Sequence, residues 1–197
     1  ISYNYLNFKI IFIGFAIGSI IGALFATKVK MTQMPQMVAI FNGFGGAASA
    51  LVAAAEYLNL AEFSTFTLTT VVISIFIGTL TFTGSFIAFG KLQGFISGQP
   101  IVFTGQQFFN AIFALCLLFS GFLLVSNPTN LNYFYYTVSI AALLGITLTI
   151  PIGGADMPVV ISLLNSYSGI AASATGFVLM NNGLIISGAL VGASGII

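Results

Sequence analysis

Polar side chains recur at helical spacing within the apolar segment 157–180, and these residues could do chemistry. Asn165 is the bulkiest, and it lies about 12 Å into the segment, where its amide needs a partner on another helix or water. An interhelical hydrogen bond of about 1 kcal/mol and a polar gate on an ion path explain this residue equally well. The stripe, at steps of three and four residues, consists of Ser162, Asn165, Ser166, Gly169, Ser173 and Gly176.

Asp156 stands directly before this segment, and Pro158 falls in the first predicted helical turn. An Asp at this position favours a helix N-cap. An acid at the inner mouth of a polar helix could also exchange protons with water. Asp156 is therefore a candidate both for a helix N-cap and for a proton-exchange group.

The other charged side chains all lie at the ends of apolar segments, where solvated or snorkelling groups cost little. We therefore predict surface positions for Lys9, Lys28, Lys30, Glu56, Glu62 and Lys91. No charged side chain lies in the middle of a segment. Proton or ion transfer would thus need water lined by Asn, Ser and Thr, or a residue supplied by helices outside this chain.

The composition indicates which elements hold these residues. The chain has 197 residues, of which 58% are hydrophobic, with only four Lys and Arg and three Asp and Glu, and its mean hydropathy is +1.13. A soluble domain would carry about 25% charged residues, so an ordinary soluble globule is excluded. The sequence predicts an all-α polytopic transmembrane helix bundle. A net charge of +1 argues against a nucleic-acid partner, and a single Cys116 without any His predicts neither a disulfide nor a metal site.

About 20 apolar residues cross the hydrocarbon core of a bilayer as a helix, and this length predicts about seven spans. Their expected bounds are 8–26, 35–55, 67–89, 108–125, 132–150, 157–180 and 184–197. The last would reach only about 21 Å, so it should continue in the intact protein. Because the chain begins at Ile1 without a Met and its apolar pattern still runs at Ile197, we expect a fragment that is cut at both ends. Three lysines lie in odd-numbered connections, namely Lys28, Lys30 and Lys91, and only Lys9 lies on the opposite side. This excess of positive charge predicts that the odd-numbered connections, and the residues after Ile197, face the cytoplasm or matrix.

Small residues and hydroxyls also line other predicted helices. Gly14, Gly18 and Gly22 repeat every four positions in the first span, which favours tight helix packing. The third span carries hydroxyls that would lie near one face and could bond to carbonyls of their own helix: Thr67, Thr70, Ser74 and Thr81.

Four sequence blocks resemble one family. The run 153–169, GGADMPVVISLLNSYSG, closely resembles the membrane domain of proton-translocating NAD(P) transhydrogenase on its beta-subunit side. Three further blocks match that family in the same order, namely 30–39 (KMTQMPQMVA), 82–92 (FTGSFIAFGKL) and 188–195 (GALVGASG). Together the blocks extend over nearly the whole chain.

The resemblance implies exchange of a hydride between NAD(H) and NADP(H), coupled to proton movement toward the cytoplasm or matrix when NADPH is made. Both cofactors would bind to domains outside this chain, since no Gly-x-Gly-x-x-Gly fingerprint is present. The implied partners are those nucleotide-binding domains, the remaining membrane helices, membrane lipid and a second complete unit in a homodimer. The implied location is a bacterial plasma membrane or an organellar inner membrane, such as the mitochondrial one.

The resemblance also carries roles onto single residues. It places a mid-membrane Asn at Asn165 and an inner-mouth Asp at Asp156, with Ser162 and Ser166 beside that proton pathway. The glycines of the last helix, which would transmit the coupling, are Gly188, Gly192 and Gly195, together with Ser194.

The expected departure from the family is Thr67, where several members are taken to carry a proton-binding His at the start of this helix. This chain has no His. Either another helix supplies that group, or the path uses water and Asn165, or the chain is a decoupled relative. An ion channel or secondary transporter, and a purely structural membrane subunit, are the alternative functions.

Overall fold

The computed structural model describes residues 8–59, 62 and 64–197, and this part of the chain is helical and has no strand. The all-α prediction is confirmed. Seven α-helices follow one another in it: α1 Phe8–Lys28, α2 Met34–Asn59, α3 Thr65–Gln93, α4 Gln106–Ser126, α5 Leu131–Thr149, α6 Met157–Val178 and α7 Asn182–Ser194.

Six of these helices are long and apolar enough to cross a membrane. The seventh, α7, has 13 residues and extends only about 20 Å at 1.5 Å per residue. It is therefore the short element that the span lengths predict, although its helix begins at Asn182 and ends at Ser194.

Helix ends follow from local capping. Ser64, Asn130 and Asn181 each precede a helix and accept a backbone N–H with the side-chain oxygen. Gly94 ends α3 with a left-handed φ of 80°, which glycine adopts without steric cost. Because α3 continues through Gly90 to Gln93, Lys91 lies within the helix and not in the predicted connection.

The chain divides into two compact units, residues 1–34 and 35–197. The first contains α1 and a short 3-10 turn, Met31–Gln33. For Gly14, Gly18 and Gly22, tight packing stays a prediction.

In the second unit α3 is the central helix, and it packs against α4, α5 and α6, while α7 packs against α6. The apolar core forms three clusters along the bundle. Leu68 and Val71 belong to the first, Leu80 and Leu164 to the second, and Met157 to the third. Polar side chains from α2, α3 and α6 lie between these apolar clusters, which is where a site inside the membrane would form.

Candidate functional site

An amide in α2 joins three helices in the core. Asn42 is 7% exposed, and its Nδ2 donates to Ser85 Oγ of α3 at 2.9 Å. Ser168 of α6 donates its hydroxyl to Asn42 Oδ1 at 2.8 Å. We call Asn42, Ser85 and Ser168 the amide cluster. Because hydroxyls can both donate and accept, this cluster could pass a proton between neighbouring oxygen atoms.

A second polar group lies further toward the N-terminal end of α3. Ser74 Oγ and Thr175 Oγ1 are 2.6 Å apart, and both hydroxyls reach the carbonyl of Ser49, at 3.2 and 3.3 Å. Ser74 is fully buried and Thr175 is 3% exposed. We call Ser49, Ser74 and Thr175 the hydroxyl cluster. It joins the same three helices as the amide cluster.

Two glycines bring α2 and α3 together between these clusters. A Cβ on Gly46 would lie 2.8 Å from the Gly78 carbonyl oxygen, and a Cβ on Gly78 would lie 2.6 Å from the Gly46 oxygen. Neither position can hold a larger residue without moving a backbone. Asn42 and Ser49 stand about one turn before and after Gly46, so this close approach places both of them against α3.

The hydroxyl of Thr81 lies on α3 beside this contact. The side chain is fully buried, and its Oγ1 has no hydrogen-bond partner within the described part of the chain. A buried hydroxyl without a partner costs about 1–3 kcal/mol, so Thr81 is a polar group of the core that is not satisfied by the described residues.

The α6–α7 interface is built from glycine on both helices. A Cβ on Gly188 would lie 2.5 Å from the Ser173 nitrogen and 2.7 Å from the Gly169 oxygen, and a Cβ on Gly169 would collide with the Gly192 nitrogen. Gly176 is similarly close to Ile185. The main chains of α6 and α7 are therefore in close contact at these glycines.

Serines of α6 hydrogen-bond across this interface to main-chain carbonyls of α7. Ser162 donates to Gly195 at 3.2 Å and Ser173 donates to Ile185 at 3.1 Å. Buried Ser166 donates to Gly192. Most of the predicted polar stripe is thus the surface on which α7 packs. Ser194 is exposed and bonds within α7, to the Val191 carbonyl at 3.0 Å.

Asn165 differs from the rest of the stripe. It is half-buried, and its side chain makes no hydrogen bond to any residue that the structure describes. The interhelical hydrogen bond considered from the sequence is therefore not present among these residues. A side-chain amide without a hydrogen bond to these residues can bind water, or it can form a new hydrogen bond when a neighbouring group moves.

Asp156 is the exposed N-cap residue of α6 and also ends the 3-10 turn Gly154–Asp156. Its side chain makes no capping hydrogen bond, so the predicted cap is correct in position only. The carboxylate is solvent-accessible at one end of the helix that carries Asn165.

Thr67 lies in the first turn of α3, where its hydroxyl is 2.8 Å from that of the N-cap Ser64. Gly84 is the α3 residue beside Leu164, the neighbour of Asn165. Thr67 precedes Gly84 by seventeen residues, or about 25 Å along the helix. The structure therefore does not bring Thr67 and Asn165 together.

The surface prediction is wrong for Lys91, which is 4% exposed. Glu56 is half-buried near the end of α2, whereas Lys28, Lys30 and Glu62 are exposed as predicted. The reason for the error is the length of α3, since a lysine in the last helical turn can fold back onto nearby carbonyls.

Asn42 is the residue that sequence reasoning missed. It lies within the predicted span 35–55, so the argument applied to Asn165 would also have singled out Asn42. Ser85 and Ser168 carry weaker signals, because a hydroxyl in a membrane helix often bonds to its own backbone.

The hydroxyl cluster allows a direct test of the packing. We expect Thr175→Val, which removes the hydroxyl but keeps the shape, to lower the free energy of unfolding by about 0.5–1.5 kcal/mol. The measurement is thermal unfolding of the complete purified protein. Thr69→Val is the matched control, because Thr69 is exposed and bonds only to Thr65 of its own helix, at 2.7 Å. Equal losses in the two variants would contradict this interpretation of the cluster.

These features define a polytopic helical membrane domain with a polar core and no charged side chain in the middle of any described helix. The described residues also contain no group of His, Cys, Asp and Glu that could hold a metal ion. The chain belongs to the NAD(P) transhydrogenase beta subunit family, whose family model matches residues 2–197. The resemblance seen in the four sequence blocks is confirmed.

Curated relatives agree with the family. Two of them, both named NAD(P) transhydrogenase subunit beta and both from Rhodospirillum rubrum, are 46% identical to this chain over 195 residues. The match covers 95% of this chain and 42% of each relative. The chain thus spans about two fifths of the length of the curated relatives it matches.

Proposed function

We propose that this chain is the membrane part of a proton-translocating NAD(P) transhydrogenase, which couples hydride transfer between NAD(H) and NADP(H) to proton movement across the membrane. The observation that carries this proposal is the family match along nearly the whole chain. The membrane-length helices and their polar core support it.

NAD(H) and NADP(H) would bind to domains outside this chain. A dinucleotide fold needs a parallel sheet with a glycine-rich turn before a helix. The described residues form helices without any strand, which supports nucleotide binding by other domains. The complete enzyme would add those domains and the remaining membrane helices.

The proton path would run through the core between α2, α3 and α6. The amide cluster would lie in its middle, with Asn165 about one helical turn before Ser168 on α6, and Asp156 would exchange protons at one end. A cleft of about 220 Å³ touches both polar clusters through Ser49 and Ser168, and Ser187 and Gly188 of α7 also line it. The cleft lies between α2, α6 and α7, and the side chains of Ser49, Ser168 and Ser187 give it polar groups at which water could reach the edge of both clusters.

Coupling would pass through α7. Linkage requires two conformations that differ both in proton access and in NADP(H) affinity. The glycine contacts of Gly188 and Gly192 with α6 put α7 against the polar core, and the serine Ser166 joins the two helices directly. A change at Asn165 or Ser166 could therefore alter the position of α7 and, through it, the nucleotide domain.

The enzyme would work as a homodimer of complete units within a bacterial plasma membrane or an organellar inner membrane. Large apolar side chains remain exposed on the second unit, including Phe119 and Phe122 of α4 and Leu190 of α7. Such surfaces support contact with lipid or with further membrane helices.

The test uses the complete enzyme in sealed vesicles, with hydride transfer from NADPH to an NAD analogue and a dye that reports lumen pH. We expect the parent to acidify the lumen and Asn165→Leu to lose most of that signal. Asn132→Leu, at the exposed start of α5, is the matched control.

Other outcomes separate the alternatives. Hydride transfer by the parent without proton movement would indicate a decoupled relative. Conductance or solute uptake without nicotinamide nucleotides would indicate a channel or transporter. If Asn165→Leu changed only assembly or stability, then a structural role for this residue would replace the proposed one.

A further inference from the structure

Lys91 is a buried cation in the last turn of α3. Its Nζ donates to the carbonyls of Ile150 at 2.6 Å, Ile152 at 2.8 Å and Gln99 at 3.1 Å. An ammonium group has three N–H donors, so this environment uses all of them. No acidic side chain within the described residues forms an ion pair with Lys91.

Burying the Lys91 ammonium group costs free energy of desolvation. Removing a charge from water is repaid only when its surroundings supply complete hydrogen bonding. A lysine at the end of a membrane helix would ordinarily extend to water, whereas Lys91 is held inside by three carbonyls. Ile150 is the C-cap of α5, where the helix dipole also favours a cation.

The three carbonyls belong to two different connections. Gln99 lies in the connection from α3 to α4, residues 94–105, and Ile150 and Ile152 lie in that from α5 to α6. The same connections also bond to each other directly, because Ile101 N donates to Ile150 O at 3.3 Å and Gly154 N donates to Gly98 O at 2.8 Å. Lys91 thus holds together the segments around the start of α6.

Asp156 is located on this assembly. It ends the short turn that begins at Gly154, and its own N–H donates to the Gly153 carbonyl at 3.1 Å. A Cβ on Gly153 would lie 3.8 Å from Asp156 Oδ2 and 3.9 Å from the Gly98 oxygen, so Gly153 borders both the carboxylate and the 94–105 connection. Movement of that connection would change the surroundings of Asp156.

We propose that Lys91 is a positioning residue for Asp156, which fixes the 94–105 connection against the turn that carries the acid. This inference rests on the proposed function, because it assumes that Asp156 exchanges the translocated proton. Lys91 itself does not relay the proton, since all three of its N–H groups are bonded to carbonyls. Its role is to hold the exchange site in one geometry.

The test distinguishes two roles of Lys91, which are holding the two connections in position and supplying a positive charge. The parent is the complete enzyme with Cys116→Ser, which removes the chain's single thiol. Lys91→Met keeps the side-chain length and removes both the charge and the donors. A second variant adds Gly98→Cys and Gly154→Cys. A Cβ on Gly154 would lie 3.4 Å from Gly98 Cα, a Cβ on Gly98 would meet no atom within 4 Å, and neither glycine has a left-handed φ. Both positions therefore have room for a cysteine, and a disulfide between them would join the two connections in place of the lost bonds.

In sealed vesicles we expect Lys91→Met to reduce NADPH-driven lumen acidification about tenfold or more, at unchanged NADPH-binding capacity. The oxidised disulfide variant should recover to within about threefold of the parent, and dithiothreitol should remove that recovery. Lys28→Met, at an exposed lysine, is the matched control and should pump like the parent. The tenfold loss expected for Lys91→Met is about one order of magnitude in the rate of lumen acidification.

Three results would overturn the proposal. Lys91→Met could pump like the parent, the oxidised disulfide could form without restoring pumping, or reduction could leave the recovery unchanged. If Lys91→Met does not assemble, Lys91→Gln, which keeps donors without the charge, takes its place under the same criteria. A parent that transfers hydride without moving protons would instead show that the proposed function fails, independently of Lys91.

Discussion

Replacing Asn42 with Leu should reduce proton pumping by the complete enzyme about tenfold or more. The substitution removes the only amide that contacts both Ser85 of α3 and Ser168 of α6 within the described core. It also removes the partner of the Ser85 hydroxyl and leaves Ser168 only its 3.3 Å bond to the main-chain carbonyl of residue 42, at a cost of about 1–3 kcal/mol in stability. Lumen acidification in sealed vesicles measures the pumping, and NADPH-binding capacity measures the amount of intact enzyme.

Asn59→Leu is the matched control for this prediction. Asn59 ends the same helix, is exposed, and bonds only to the Ala55 carbonyl at 2.7 Å. We expect this variant to pump like the parent. If Asn42→Leu also retained full pumping, the path could not depend on the amide cluster.

Gly188→Ala should separate α6 from α7 and uncouple the enzyme. The added methyl would lie 2.5 Å from the Ser173 nitrogen, which is backbone and cannot rotate away. Overpacking of this kind costs about 1–3 kcal/mol, and here it also forces α7 out of contact with the polar stripe. We expect thermal unfolding at a lower temperature and loss of most lumen acidification.

Gly192→Ala provides the graded comparison within the same helix. Its nearest neighbour would be Ile170 Cγ1 at 3.1 Å, a side-chain atom that can shift. Its loss of pumping should therefore be smaller than that of Gly188→Ala, although both changes raise helix propensity equally. The reverse order, or equal effects, would show that the α6–α7 distance is not what controls coupling.

Sequence reasoning predicts the helices of this fold well, because a run of apolar residues long enough to span lipid must satisfy its backbone internally. It also identifies the stripe on α6 and the glycines of α7, since both follow from helical periodicity. It errs at the end of α3. The predicted span ends at residue 89, whereas α3 continues to Gln93 and Gly94 is the residue that adopts the left-handed conformation, so Lys91 lies within the helix.

Contacts between helices are harder to predict than the helices themselves. The stripe on α6 does not reveal that Ser162 and Ser166 bond to main-chain carbonyls, because periodicity shows a face and not its neighbour. The amide of Asn42 is visible in the predicted span 35–55, but its partners are not, since they lie 43 and 126 residues away in the chain.

The serine bonds across the α6–α7 interface have a mechanical consequence. These bonds reach α7 at three main-chain carbonyls, those of Ile185, Gly192 and Gly195, which span ten residues or about 15 Å. A movement of α7 along its own axis would therefore have to break all three bonds together. No single serine can release α7, so the α6–α7 pair responds as one unit.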